Sequence, residues 1–213
     1  MRIDTVFFDV DGTLVDATRD ITNSVNHALR ALKMPELSRE KVVSYIGTGV
    51  RDLLRQSLSV DDEALVEKAV KLFGDHYVEH AADETVLYPH VIEILEYLKD
   101  KRKIILTNRF SSFADATLRG VGIRKYFEEI AGGDDYSCIK PLACAVDGVV
   151  GRLGIDKEKA LIVGDMDIDV MTGKNSGVKT CWITHGLGRA EEIVPLKPDY
   201  IIDDLLELKE IVR

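Results

Sequence analysis

Asp9 and Asp11 stand two residues apart at the end of an apolar run, in the string Asp9-Val10-Asp11-Gly12-Thr13. In an extended segment such residues point to the same side. Two carboxylates that close repel one another unless positive charge sits beside them. A Mg²⁺ ion, which takes oxygen ligands, answers that need. Gly12 permits a sharp turn and a close backbone approach to an anion. A solvated loop after a strand would look the same, so this string alone decides little.

Three further clusters follow other apolar runs. Thr107-Asn108 closes the run KIIL, where a hydroxyl and an amide can donate to an anion, although the pair is also ordinary turn chemistry. Lys140-Pro141 follows Asp134, Asp135 and Tyr136, and the proline disfavours helical geometry at Lys140. Asp165, Asp167 and Asp169 crowd the end of the run ALIVG, a costly arrangement without a counter-ion. An EF-hand loop is excluded there, because its sixth position is Val170 rather than glycine and its twelfth is Ser176 rather than glutamate.

The elements that must position these residues are legible as runs and stripes. Short apolar runs at residues 5–10, 103–107, 160–163, 180–184 and 200–202 predict strands covered on both faces. Helical stripes separate them: Val91, Ile94, Leu95 and Leu98 behind Pro89, and Ala143, Val146, Val150 and Leu153 before Gly154. The alternation predicts an α/β fold with a doubly wound, mainly parallel sheet. Residues 16–84 break it with four helical stripes, on Ile21/Val25/Ala28/Leu32, Val42/Val43/Ile46, Val50/Leu53/Leu54/Leu58 and Leu65/Ala69/Leu72/Phe73. They predict a four-helix cap inserted into a core made of residues 1–15 and 85–213.

Taken together, DVDGTLVD, TN, KP and VGDxxxD, in that order, resemble the haloacid dehalogenase-like superfamily. YIGTGV in the insertion, YPHV after it, and VGDMDIDVMTGKNSGVKTCWITHG narrow the resemblance to phosphoglycolate phosphatase-like members. It implies a Rossmann-like core, a helical cap, and a Mg²⁺-dependent phosphatase for a small phosphorylated metabolite, with 2-phosphoglycolate foremost. By that resemblance Asp9 is the nucleophile that forms an aspartyl-phosphate, and Asp11 is the general acid and base. The second acid separates phosphatases from the family's dehalogenases. Thr107 and Asn108 bind the phosphoryl group, and Lys140 neutralises it. Asp9, the Asp11 carbonyl, Asp165 and Asp169 hold the metal, with Asp169 acting through water or by orienting Lys140. Gly12 and Thr13 line the site. Gly47, Thr48, Gly49 and Arg51 of the cap, with Arg109 where the family often has lysine, meet the substrate tail. Met166 stands where serine or threonine is common, and Leu142-Ala143 where Asp-Pro is frequent.

Pyrophosphatase, nucleotide or sugar phosphatase and β-phosphoglucomutase-like mutase activities stay open within that fold. A phospho-acceptor receiver module is a rival of another class. Receivers, however, are compact domains whose acceptor aspartate lies on a later strand, and they carry no inserted lid. A silent binding protein is the other rival, and the full set of reactive groups speaks against it.

The chain of 213 residues carries a formal charge of −9, and residues 99–103 are its densest basic run. Nucleic acid and anionic membrane surfaces are therefore not expected partners. No apolar stretch approaches a membrane span, and residues 1–13 show no signal-peptide core, so a cytoplasmic location is expected. Cys138, Cys144 and Cys181 form no CxxC pattern and are expected as reduced thiols. His76 and His80 are expected on a helix surface, and monomer and homodimer both stay open.

Overall fold

The computed structural model describes residues 2–212. Its elements in chain order are β1 (Thr5–Phe8), β2 (Val15–Asp16), α1 (Thr18–Ala31), α2 (Arg39–Val43), α3 (Val50–Leu58), α4 (Glu63–His80), β3 (Val86–Leu87), α5 (Val91–Tyr97), β4 (Arg102–Leu106), α6 (Ser111–Gly120), β5 (Glu129–Ala131), α7 (Cys144–Leu153), β6 (Ala160–Gly164), α8 (Asp167–Ser176), β7 (Lys179–Ile183), α9 (Ala190–Ile193), β8 (Tyr200–Ile202) and α10 (Leu208–Ile211).

Six strands form one parallel sheet in the order β5-β4-β1-β6-β7-β8. The chain starts in the middle of the sheet and winds outward in both directions. Ligands gather at such a switch point, outside the carboxyl ends of the strands. All four residues of β1 are buried, as a central strand requires. Phe8 pairs with Ile105 of β4 and with Val163 of β6. That register ends the three strands at nearly one level, so Asp9, Thr107 and Asp165 emerge side by side.

Four helices, α1 to α4, lie between β2 and β3, which pair antiparallel as a two-residue ladder at the neck of the insertion. Neither short strand stands out in the sequence, and β5 is only three residues long. Residue pairs this small leave no periodicity to read. The helix faces also turn slightly from the expected stripes. On α7 the buried residues are Ala145, Val146 and Val149, so Ala143 is not part of the buried face. On α4 they are Val66, Ala69, Phe73 and Tyr77, with Leu65 and Leu72 only partly covered. Tyr77 extends that apolar stripe by one turn and brings a hydroxyl with it.

One apolar core runs from the sheet into the cap. It joins Val6 and Phe8 to Val25, Leu54, Phe73 and Tyr77. A second core on the opposite face packs Phe7, Ile104 and Ile162 against Val146 and Val149 of α7. Cys138 and Cys144 form a disulfide, while Cys181 is free and buried. This corrects the expectation of three reduced thiols: spacing in sequence hid a contact made by the turn through Lys140 and Pro141. The thiol argument for a cytoplasmic location falls with it. Among the described residues, no helix is long and apolar enough to cross a membrane.

Candidate active site

Lys140 is the positive centre of the site. Its Nζ lies 2.6 Å from Asp169 Oδ1 and 2.8 Å from Asp9 Oδ1, and all three residues are buried. Burial works against the ammonium, but Asp169 and Asp9 outweigh it and raise its pKa. Asp169 sits in the first turn of α8, where its other oxygen accepts the Met166 backbone N–H at 3.0 Å. It therefore caps a helix while it orients the lysine.

Asp165 hangs from the end of β6 and is wholly buried. Thr13 Oγ1 donates to it at 2.7 Å and the Leu187 N–H at 2.7 Å, while Trp182 Nε1 donates to its carbonyl at 3.0 Å. Burial pushes its carboxyl well above the usual range, and Asp169 and Asp9 add to the rise. Burial likewise pushes Asp169 up to about 6 against the pull of Lys140.

Asp9, Asp165 and Asp169 each offer a carboxylate oxygen, all within 4.8 Å of one another. When all three are ionised, they outnumber the one ammonium and carry an excess of two negative charges in a buried cluster. Hard oxygen donors and that excess fit a divalent cation of the Mg²⁺ kind.

Asp11 faces a different cation. Arg109 grips it with both arms, Nε to Oδ2 at 2.5 Å and Nη2 to Oδ1 at 2.6 Å. Burial raises the Asp11 carboxyl, Arg109 opposes that, and Asp9 adds to it. Arg109 Nη1 donates to Tyr77 Oη at 2.6 Å and to Thr117 Oγ1 at 2.9 Å.

Several expected site residues also hold the site together, and of these Gly47, Gly49, Asn108 and Arg109 line its space as well. Asn108 spends its amide on the backbone: Nδ2 donates to the Gly47 and Lys140 carbonyls at 2.9 and 3.0 Å, and Oδ1 accepts the Lys140 N–H at 2.8 Å. It ties the cap loop to the lysine turn while lining the void. Thr13 is committed to Asp165. Gly12 is needed for that same carboxylate, since a Cβ there would lie 2.1 Å from Asp165 Oδ2 and φ is +80°. The close approach here is to the carboxylate of Asp165. Arg51 turns away to pair with Glu67 and Glu63, and Thr48 pairs with Asp52, both on the exposed side of the cap. Arg109 meets Asp11.

Between cap and core lies a void of about 560 Å³, part of it open to solvent. Asp9, Asp11, Thr107 and Lys140 line its floor, and Ile46, Val50, Leu53 and Phe73 line its roof. Gly47 and Gly49 bring the cap loop over the floor, within contact of Met166 and of the Asn108 carbonyl respectively. Sequence reasoning missed Tyr77, Thr117 and Trp182. Only Tyr77 left a trace, a polar tip four residues beyond Phe73 on a buried stripe.

A lysine-bridged aspartate pair at the switch point of a parallel sheet, roofed by an inserted helical lid, defines an acid-rich α/β hydrolase. Residues 6–183 match the family described as haloacid dehalogenase-like hydrolase, and the chain belongs to that family. A phosphoglycolate phosphatase of Vibrio parahaemolyticus is 33% identical over 216 residues, covering 97% of this chain and 95% of that protein. One from Aquifex aeolicus is 33% identical over 217 residues, covering 95% of this chain and 100% of that protein. A crystal structure of a predicted phosphoglycolate phosphatase from Haemophilus somnus matches with a TM-score of 0.92 at 28% identity, covering 100% of this chain and 99% of the other. The chain is thus an enzyme, a hydrolase of the phosphatase kind.

Proposed function

We propose that this protein hydrolyses 2-phosphoglycolate, or a phosphate monoester of similar size, through an aspartyl-phosphate formed on Asp9. The observation that carries the reading is the pairing of Asp9 with Lys140 at 2.8 Å, with Asp11 two residues further on. Lys140 pairs with the Asp9 carboxylate at the edge of the void, from which Asp9 attacks phosphorus and expels the leaving alkoxide. Asp11 lends that alkoxide a proton and then takes one from the hydrolytic water. Splitting one hard displacement into two suits a reaction as slow as phosphate ester hydrolysis. Thr107, buried at the end of β4, is placed to donate to the transferring group.

Asp9, Asp165 and Asp169, with the Asp11 carbonyl, would hold a Mg²⁺ ion. Such an ion supplies charge neutralisation to the phosphoryl oxygens. The glycines of the Gly47-Thr48-Gly49 loop bring cap backbone to the void, and we assign that loop to the substrate tail. The preference for 2-phosphoglycolate is supported by the names of relatives that match nearly the whole chain. A cytoplasmic location fits a small-metabolite substrate.

The test is phosphate release from 2-phosphoglycolate, pyrophosphate, nucleotides and sugar phosphates, with Mg²⁺ and with EDTA. Highest kcat/KM on 2-phosphoglycolate, lost in EDTA and in Asp9→Asn, is expected. A flat substrate profile would overturn the substrate, turnover in EDTA the metal, and an active Asp9→Asn the nucleophile.

A further inference from the structure

The guanidinium of Arg109 spans the boundary between cap and core. On the core side its Nε and Nη2 clamp Asp11 in a two-pronged pair. Its Nη1 is held from the cap by the Tyr77 hydroxyl of α4, and from the core by Thr117 of α6. Tyr77 Oη also lies 2.9 Å from Thr117 Oγ1, so the three groups form a closed hydrogen-bonded ring. The Tyr77 ring is fixed in turn, stacked on Phe73 at 5.2 Å and tilted against Phe113 at 5.8 Å. All of these side chains are buried.

Four of the five guanidinium N–H groups are thereby spent on protein partners, and only one is left for anything in the void. Such a group is poorly placed to read a substrate carboxylate. It is well placed to fix another side chain, because the planar fork of arginine transmits direction as well as charge.

We propose that Arg109 is a positioning residue for Asp11, and that Tyr77 makes this positioning depend on the cap being closed. The inference rests on the reading of Asp11 as proton donor to the leaving group. When α4 lies against α6, Tyr77 and Thr117 hold Nη1, the fork faces Asp11, and the carboxyl is aimed at the leaving oxygen. When the cap lifts, Tyr77 leaves with it and Arg109 loses one of its two anchors. Acid catalysis is thus assembled only around an enclosed substrate, away from bulk water.

A proton donor matters for a poor leaving group and little for a good one. The experiment is therefore kcat/KM, which reports the steps up to departure of the leaving group, for three esters. These are 2-phosphoglycolate, ethyl phosphate (an alkoxide without a carboxylate) and p-nitrophenyl phosphate (a good leaving group). Tyr77→Phe keeps the stacked ring and removes only the hydroxyl. Relative to p-nitrophenyl phosphate, it is expected to lower kcat/KM for both alkyl esters by about tenfold. Arg109→Lys, which keeps the charge and loses the fork, is expected to do so more strongly. Loss on 2-phosphoglycolate alone would overturn the proposal and make Arg109 a reader of the substrate carboxylate. Equal loss on all three would overturn it in favour of a merely structural role, as would no loss on any. Should the wild-type protein turn over none of the three with Mg²⁺, the proposed function itself fails, which is a separate outcome.

Discussion

Lys140 Nζ lies 2.6 Å from Asp169 Oδ1, with both side chains only 2% exposed. A buried ion pair stabilises little on balance, because desolvation consumes most of the attraction. Breaking it is another matter. Lys140→Met would leave Asp9 and Asp169 without their cation in a dry pocket. The expected cost is about 3 kcal/mol near neutral pH, shrinking as the pH falls and the carboxyls take up protons. Urea unfolding of metal-free protein at pH 7.5 and pH 5.0 measures it. Activity should fall at least ~100-fold, as loss of a preorganised charge at a reacting centre does. A variant as stable as the parent at pH 7.5 would show that the lysine does not offset the charge of its buried partners.

Asp165 and Asp169 also set a pH dependence for the metal-free protein. Their folded-state pKa values lie above the ordinary carboxylate value, that of Asp169 at about 6. The native state therefore binds their protons more tightly than the unfolded chain does. The stability they contribute is complete below the ordinary value and is lost as the pH rises through the folded one. A divalent cation reverses this, since it favours the ionised forms and competes with protons. Millimolar MgCl₂ is expected to raise Tm clearly at pH 7.5 and scarcely at pH 5.0, against an EDTA control. An equal increment at both pH values would remove these acids as metal ligands.

The pieces legible in the sequence were those that chemistry makes unusual. Acids at the ends of apolar runs are costly wherever they occur, so Asp9, Asp11, Asp165 and Asp169 stood out before any fold was known. The central strands and the four cap helices were legible because burial imposes a period on them. What stayed hidden was direction. Nothing local tells that Asn108 pins Gly47 to Lys140. Nothing local tells that Arg51 turns toward Glu67 while Arg109 turns toward Asp11. These outcomes depend on which elements meet in space, as does the pairing of Cys138 with Cys144.

That pairing gives a simple count. With a disulfide between Cys138 and Cys144 and Cys181 buried, native protein should show almost no reactive thiol. Burial also raises the Cys181 pKa, which suppresses the thiolate further. Titration with a thiol reagent is expected to find one equivalent in denaturant alone and three after reduction. Three equivalents in denaturant without reductant would mean that the turn around Lys140 and Pro141 is not bridged.

Asp20 fixes the neck of the cap. It is 1% exposed on α1, yet its carboxylate accepts three groups from the chain leaving the cap. The Glu84 N–H lies at 3.0 Å, the Thr85 N–H at 2.9 Å and Thr85 Oγ1 at 2.7 Å, all to Oδ2. The entry to the cap and its exit are thus stapled together beside the β2–β3 ladder. Asp20→Ala removes the acceptor and strands two buried or partly buried backbone donors, at an expected cost of about 2–3 kcal/mol. The loss should be local before it is global: amide hydrogen exchange at Glu84 and Thr85 should quicken well ahead of exchange in β1 and β6. Asp20→Asn keeps one acceptor oxygen and should lie between the two. Unchanged exchange at both amides in Asp20→Ala would mean that the ladder alone holds the neck.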